Sequence, residues 1–373
     1  MYLWTSVLLL KKCMNFNAIF LKSFRVLLLP FALLYGLIII IRNFLYDKNI
    51  FRSAGFNFPV ICIGNLVVGG TGKSPMVEYL GELLQPHFRM GIVSRGYKRK
   101  TKGYALADEN STALDIGDEP IQFHIKFPGI AVAVGEQRLE AIPQLLHDRP
   151  DLQAIIFDDG FQHRAVRAGL NILLTDYSDL FTRDFFLPTG NLRDNWASYK
   201  RAQIIVVTKC PETLSENQKR SITKEIKPLK NQQIFFTAIE YGEPFHIINY
   251  DTRNITDDDE VLLVCGIANP KPLKQYLLDH AGVYYMMEYR DHHIFSIDDL
   301  KEIKEKFEQI NASEKLIITT EKDAVRLFKF NRELEDIPLY VLPVGHQFLF
   351  GEQDLFNEAV TGFIRDFQFN SAT

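Results

Sequence analysis

The hydrophobic positions of the chain fall into two alternating kinds of run. Short, continuous, β-rich stretches occur at Val60–Asn65, Met90–Ser94, Ile130–Val134, Ala154–Phe157, Ile172–Thr175 and Ile204–Thr208, with amphipathic or mixed segments between them. Strands alternating with helical patterns predict an α/β fold, a mostly parallel sheet covered by helices on both faces. Ligands of such sheets collect at the carboxyl ends of the strands, so the informative residues are expected just after these runs. From Glu212 to Gln233 the chain turns polar and charged, which predicts a surface helix closing a first domain. Ile234–Tyr241 reads as a linking strand, with Tyr241-Gly242-Glu243-Pro244 as its turn. A second set of strands, Val261–Cys265, Val283–Tyr289, Leu316–Thr319 and Leu339–Val344, predicts a smaller α/β domain. The expected division is an apolar N-terminal region over residues 1–55, a core domain over 56–233 and a smaller domain over 234–373. No solenoid repeat or low-complexity tract interrupts this plan.

The N-terminus departs from the pattern. Val26 to Ile41 carries no charge and is flanked by Lys22 and Arg25 before it and by Arg42, Lys48 and Arg52 after it. A bilayer span takes ~20 apolar residues. This stretch is at the short limit, and it lacks a small-residue cleavage site. A helix lying in the membrane interface or dipping into it fits the length better than a clean span, and the basic flanks suit anionic headgroups. Met14 offers an alternative start. Otherwise the 373 residues, 47% hydrophobic and 24% charged, are those of an ordinary globular protein of two domains. A net charge of −4 gives no global attraction for nucleic acid. Cys13, Cys62, Cys210 and Cys265 form no C-x-x-C pair. That argues for a reducing compartment with neither a disulfide framework nor structural zinc.

The chemistry begins after the first strand. Gly69-Gly70-Thr71-Gly72-Lys73-Ser74 follows Val60–Asn65 and leads into a helical pattern. Glycines let backbone N–H groups converge on phosphate oxygens, and the helix adds the positive end of its dipole. Lys73 would neutralise the β/γ-phosphates of ATP and Ser74 would take a place on Mg²⁺. Val67 stands where this loop usually has its first glycine. After Met90–Ser94 comes the basic run Arg95-Gly96-Tyr97-Lys98-Arg99-Lys100, a clamp for an anion or a solvated turn. Gly117-Asp118-Glu119-Pro120 places two acids at a helix start, where they would also serve as caps. Asp158-Asp159 ends a hydrophobic strand, the position from which a carboxylate holds Mg²⁺ in a phosphate-loop site. His163 follows closely, as a substrate contact or a hydrogen-bonded loop histidine. Arg193 closes a Pro/Gly loop from which a guanidinium could meet phosphate in bidentate fashion. Thr208-Lys209 is like the start of a guanine-reading loop, but Pro211 stands where that loop has aspartate, so GTP preference is unsupported. In the second domain, Asp291-His292-His293 follows a strand without metal-ligand spacing, which favours acid–base or substrate contact. Thr320-Glu321-Lys322-Asp323 reads as a helix start with capping acids.

Taken in order, these motifs resemble the tetraacyldisaccharide 4′-kinase (lipid A 4′-kinase) family. The resemblance rests on Gly64-Asn65 with the phosphate loop; Ser94-Arg95-Gly96-Tyr97; Gly117-Asp118-Glu119-Pro120; Asp158-Asp159-Gly160-Phe161-Gln162-His163; Leu187-Pro188 with Gly190 and Leu192-Arg193; Asp291-His292-His293; and Thr320-Glu321-Lys322-Asp323-Ala324-Val325. It covers nearly the whole chain after the first dozen residues. It implies a phosphate-loop NTPase-like core and transfer of the ATP γ-phosphate to the 4′-hydroxyl of an acylated glucosamine disaccharide 1-phosphate at the cytoplasmic face of the bacterial inner membrane. No obligate protein partner is implied. In the family an aspartate of the Asp-Glu-Pro motif and a histidine of the second domain are paired as the base. That carries over to Asp118 with His292 or His293, of which His292 is preferred. A base from the second domain makes that domain a lid over the nucleotide. Asn65, Arg95, Glu119, Gln162, His163 and Arg193 are the expected substrate contacts, and Ser74, Asp158 and Asp159 the expected Mg²⁺ ligands, with their separate roles open. Asp194 replaces a glutamate common in the family and is kept as a further candidate for Mg²⁺ or ligand positioning. The rival reading is a membrane-associated switch ATPase. Those proteins carry lysine immediately before Gly-Gly, where this chain has Val68.

Overall fold

The computed structural model describes Arg25 and residues 27–371, with side chains described as far as residue 367. The readings made on Cys13, Met14, Lys22 and Val26 lie outside the described residues. The central strand, Val60–Asn65, is buried along its whole length. Its alternate side chains serve two cores: Val60 and Cys62 pack with Ala141, Ile142, Leu145 and Phe161 on one face, and Ile61 and Ile63 with Met76, Val77, Leu80 and Phe123 on the other. A strand apolar on both faces is stable only between two helical layers.

Nine strands form the large sheet, in the order Val344–Phe348, Gln233–Tyr241, Ile204–Thr208, Leu170–Asp176, Val60–Asn65, Ala154–Phe157, Met90–Ser94, Ala131–Val134 and Ala105–Leu106. The first and last of these pair antiparallel with their neighbours, and every pairing between them is parallel. The phosphate loop, Ser94-Arg95 and Asp158-Asp159 thus leave the same edge of the sheet from three adjacent strands. The smaller sheet has five strands, in the order Phe245–His246, Leu339–Leu342, Lys315–Thr320, Glu260–Cys265 and Val283–Glu288.

The division between the two units differs from the expected one. Gln233–Tyr241 is no linker, because it pairs in parallel with Ile204–Thr208 as a full member of the large sheet. The expected strand Leu339–Val344 ends at Leu342, and Pro343, which has no N–H to give a ladder, separates it from Val344–Phe348, a strand of the large sheet. The helix Gln353–Ser371 then packs Phe356, Val360 and Ile364 into the core around Ile61 and Ile63. The smaller unit is therefore an insertion between Gly242 and Pro343, closed at its neck by a 3.0 Å hydrogen bond from the Gly242 N–H to the Pro343 carbonyl. Its own core comprises Leu262, Val264, Phe295, Ile303 and Ile317 on one face and Val261, Leu263, Leu277 and Ile318 on the other.

The N-terminal apolar stretch forms the helix Leu29–Asp47, with Pro30 in the first turn, where its missing N–H costs nothing. Ala32, Gly36, Ile39 and Asn43 are its buried residues, whereas Phe31, Leu33, Leu34, Leu37, Ile38, Ile40, Ile41 and Phe44 are exposed. Gly36 permits the contact with the core, since a Cβ there would lie 2.6 Å from the Phe186 ring.

Candidate active site

The helix Lys73–Leu84 starts from Gly72, whose φ of +82° is one that a residue with a Cβ adopts only under strain. This turn brings Lys73 to the carboxyl edge of the sheet. Its ammonium lies 3.6 Å from the Asp159 carboxylate. Arg193 donates to the same carboxylate at 3.0 Å and to the Asn65 side-chain oxygen at 2.6 Å. Asn65 in turn donates to the Thr71 hydroxyl at 2.9 Å, tying the loop to the strand it leaves. Burial opposes ionisation of Asp159, but Lys73 and Arg193 outweigh it and bring its pKa down to about 2.

Asp158 has the opposite environment. It is buried, and Ser94 donates its hydroxyl to one oxygen at 2.9 Å. Burial first, and then the charge of Asp159, push its carboxyl up to about 6. The two adjacent aspartates therefore differ: Asp159 is paired with Lys73 and Arg193, whereas for Asp158 burial and the Asp159 charge outweigh the Ser94 hydrogen bond and the Lys73 charge.

The smaller unit meets the core through ionic groups. Asp118 opens the helix Asp118–Lys126, and one of its carboxylate oxygens accepts from His292 Nδ1 at 2.6 Å and from Arg326 at 2.7 Å. These two donors override burial and lower the Asp118 pKa to about 2. Arg326 also bonds Asp323 at 3.1 Å, and Asp323 is held by the Gly266 N–H and the Thr320 hydroxyl. Beside this cluster Lys322 pairs with Glu119 at 2.9 Å, and Lys126 bridges Glu78 at 2.8 Å and Glu321 at 3.1 Å. His292 has a left-handed φ of +63°, and the Tyr97 ring lies 5.6 Å from its own. His293 points elsewhere. It bonds Asp299 at 3.1 Å and stacks on Tyr289 within the smaller unit, so only His292 reaches Asp118.

The comparisons with known proteins agree on one family. Residues 24–365 match the model of the tetraacyldisaccharide-1-P 4′-kinase family, LpxK. The chain belongs to that family. A tetraacyldisaccharide 4′-kinase of Flavobacterium johnsoniae is 46% identical over 345 residues, covering 92% of this chain and 98% of that one. That of Bacteroides thetaiotaomicron is 41% identical over 360 residues, covering 92% and 94%. The crystal structure of LpxK from Aquifex aeolicus in complex with ATP superposes with a TM-score of 0.71 at 27% identity, covering 91% of this chain and 99% of that one. The chain is accordingly an ATP-binding kinase of α/β fold.

Within this family member, His163 lies edge-on to Phe157 at 6.2 Å. Burial, followed by the charges of Arg138, Arg42 and Arg95, lowers its pKa to about 4 and keeps the imidazole neutral. Arg138 is only 6% exposed, a buried cation over the Phe157 ring that sequence reasoning missed. Its one signal was a lone arginine four residues past a strand end. Arg326 was missed in the same way, one residue beyond the quoted Thr-Glu-Lys-Asp-Ala-Val run, although three residues after Asp323 is the same face of a helix.

Asp194 requires a correction. It is fully buried, and its carboxylate accepts from Asn43 at 2.6 Å, the Asn195 N–H at 2.7 Å and Arg201 at 3.0 Å. Its bonds go to the N-terminal helix and to Arg201 rather than to the phosphate loop, and the candidate Mg²⁺ role falls. The same helix reaches the site twice more. Tyr35 donates to the Arg193 carbonyl at 3.0 Å, and Arg42 donates to the Gln162 carbonyl at 2.7 Å. The Gln162 amide, in turn, donates to the Asn65 carbonyl.

Proposed function

We propose that the protein transfers the γ-phosphate of ATP to the 4′-hydroxyl of a tetraacylated glucosamine disaccharide 1-phosphate. The observation that carries this reading is the Asp118–His292 pair, at 2.6 Å, joining the two units. A sugar hydroxyl needs its proton removed as it attacks. Ionised Asp118 can only accept, so His292 keeps its proton on Nδ1 and offers Nε2 as the acceptor. Arg326 fixes the carboxylate that orients the imidazole. Lys73 and Arg193 bind and align the phosphates, and Asn65 holds Arg193 in place. The smaller unit acts as the lid that excludes water, its ion pairs with Glu119 and Lys126 forming on closure.

The donor set suits Mg²⁺. Asp158 is a buried carboxylate whose pKa is raised by burial and by the neighbouring Asp159 charge, and Ser74 is the second residue of the helix Lys73–Leu84. These two residues would hold the ion, which would neutralise charge on the transferring phosphoryl group. Arg95, Arg138 and His163 fit the anionic end of the acceptor. The exposed apolar face of Leu29–Asp47, followed by Lys48 and Arg52, fits a membrane surface with anionic headgroups, which ATP use places on the cytoplasmic side.

The test is transfer of radiolabel from ATP to the tetraacyl disaccharide 1-phosphate in detergent micelles. The parent protein is expected to label the lipid, and His292→Ala and Asp118→Ala to lower kcat by ~10²–10⁴-fold with the KM for ATP little changed. Acceptor-independent hydrolysis without labelled lipid would replace this reading with that of a switch ATPase.

A further inference from the structure

A phosphate loop can aim its N–H groups inward only if its carbonyls turn outward, and outward carbonyls in a buried setting need donors. Here three consecutive carbonyls, those of buried Thr71 and half-buried Gly72 and that of exposed Gly70 before them, each receive a side chain from outside the loop. Lys209 donates to the Gly70 carbonyl. The Thr208 hydroxyl donates to the Thr71 carbonyl at 3.0 Å. The Gly72 carbonyl accepts His346 Nε2–H at 2.9 Å, in addition to the helical N–H of Met76 at 3.1 Å.

The donors are themselves fixed. Lys209 is paired with Asp176 at 2.8 Å. Thr208 is fully buried and shares its hydroxyl with the Thr175 carbonyl at 3.2 Å. His346 Nδ1 accepts from the Thr237 hydroxyl at 3.0 Å, and since a carbonyl can only accept, the ring hydrogen must sit on Nε2. Burial keeps this imidazole neutral, so the tautomer is stable at physiological pH. Thr208-Lys209 ends a strand, whereas Thr237 and His346 lie on the two strands that carry the chain into and out of the smaller unit.

We infer that Thr208, Lys209 and His346 form a carbonyl clamp that presets the phosphate loop for ATP, with His346 as its key positioning residue. The Thr-Lys pair that looks in sequence like part of a guanine reader has this different task. None of the three residues needs to touch the nucleotide. The inference rests on ATP binding at this loop, and its test separates the two.

The experiment measures binding of a fluorescent non-hydrolysable ATP analogue to the full-length protein in detergent, alongside steady-state kinetics and thermal midpoints. His346→Leu removes the donor at similar volume. It is expected to weaken analogue binding and raise the KM for ATP by about tenfold, with kcat at saturating ATP and the KM for the lipid held within about twofold. His346→Gln, which can still present an N–H near the Nε2 position, is expected to recover most of the affinity. Thr208→Val and Thr237→Val are expected to weaken binding by about three- to tenfold, and they carry the test should His346→Leu fail to fold. Parent-like affinity in His346→Leu, or in both threonine variants, would overturn the clamp, as would His346→Gln binding as weakly as His346→Leu. No analogue binding by the parent protein would overturn the ATP reading itself.

Discussion

The raised carboxyl pKa of Asp158 makes a quantitative prediction about stability. Its carboxyl stands at about 6 instead of the ordinary 3.8 because burial and Asp159 disfavour the charged form. That difference corresponds to roughly 3 kcal/mol against the folded state wherever the group is ionised in both states. Asp158→Asn keeps the volume and an acceptor for the Ser94 hydroxyl while removing the charge, at the cost of burying an amide N–H₂ whose incomplete satisfaction offsets ~1 kcal/mol. The metal-free variant should therefore be more stable than the parent at pH 7.5 by about 1–3 kcal/mol, a rise of about 2–6 °C in thermal midpoint. The sign fixes the pH dependence. A raised carboxyl imposes no penalty below about pH 4, where it is protonated folded and unfolded; the penalty grows between about pH 4 and 6 and is complete above that. The gap between variant and parent should follow this course in denaturation curves recorded with EDTA. Added Mg²⁺-ATP should stabilise the parent much more than the variant, and phosphate transfer by the variant should fall at least ~10²-fold. A variant less stable than the parent throughout pH 5–8, or a gap that does not close toward pH 4, would refute the assignment of Asp158 as a carboxylate raised by burial and the Asp159 charge.

Two further perturbations probe the residues that position the site. Arg326→Met removes a donor that holds Asp118 down at about 2, so the acid limb of the kcat profile should move to higher pH and kcat at pH 7.5 should fall ~10-fold; an unmoved acid limb would show that Arg326 does not govern this carboxylate. Asp194→Ala leaves Arg201 without its carboxylate partner and Asn43 with only the Ser198 hydroxyl at 3.4 Å, so urea denaturation should show a loss of about 3 kcal/mol and limited proteolysis should release the N-terminal helix sooner; a loss below ~1 kcal/mol would mean that the helix is held by its other contacts.

What could be read from the sequence was local chemistry. A strand that must be buried on both faces is apolar throughout, and a phosphate loop needs glycines and lysine at fixed places, so Val60–Asn65 and its loop were legible residue by residue. Sheet membership is not local. Val344–Phe348 looks like the continuation of Leu339–Leu342, and only pairing with Gln233–Tyr241 returns it to the large sheet. The same limit explains Asp194. Adjacent residues send their side chains to different partners, so that Arg193 meets Asp159 while Asp194 meets Asn43, and adjacency to an arginine at the site says nothing about which partner a carboxylate finds. Buried arginines are the other blind spot. Arg138 and Arg326 belong to no recognisable run, and what distinguishes them is burial beside carboxylates contributed by distant parts of the chain.

The contacts of Leu29–Asp47 bear on how a soluble nucleotide and a lipid acceptor come to one place. A helix immersed in hydrocarbon on all sides could not leave Asn43 and Arg42 without partners. Here Asn43 and Arg42 are taken up by Asp194 and by the Gln162 carbonyl, on a helix whose Phe31, Leu34, Ile38 and Ile41 are exposed. The Asn43 amide N–H₂ and the Arg42 guanidinium are thus taken up by protein while the apolar face stays exposed, which on the proposed reading is the arrangement of a helix held against the core at a membrane surface. Two of those contacts end on the backbone of Arg193 and Gln162, whose side chains bond Asp159 and Asn65 at the head of the phosphate loop. The helix that would set the depth of the protein in the bilayer is therefore bonded directly to residues proposed to align the phosphates. On the proposed reading, that rigid link sets the height of the phosphoryl donor above the membrane, and with it which hydroxyl of a membrane-held disaccharide comes within reach of His292.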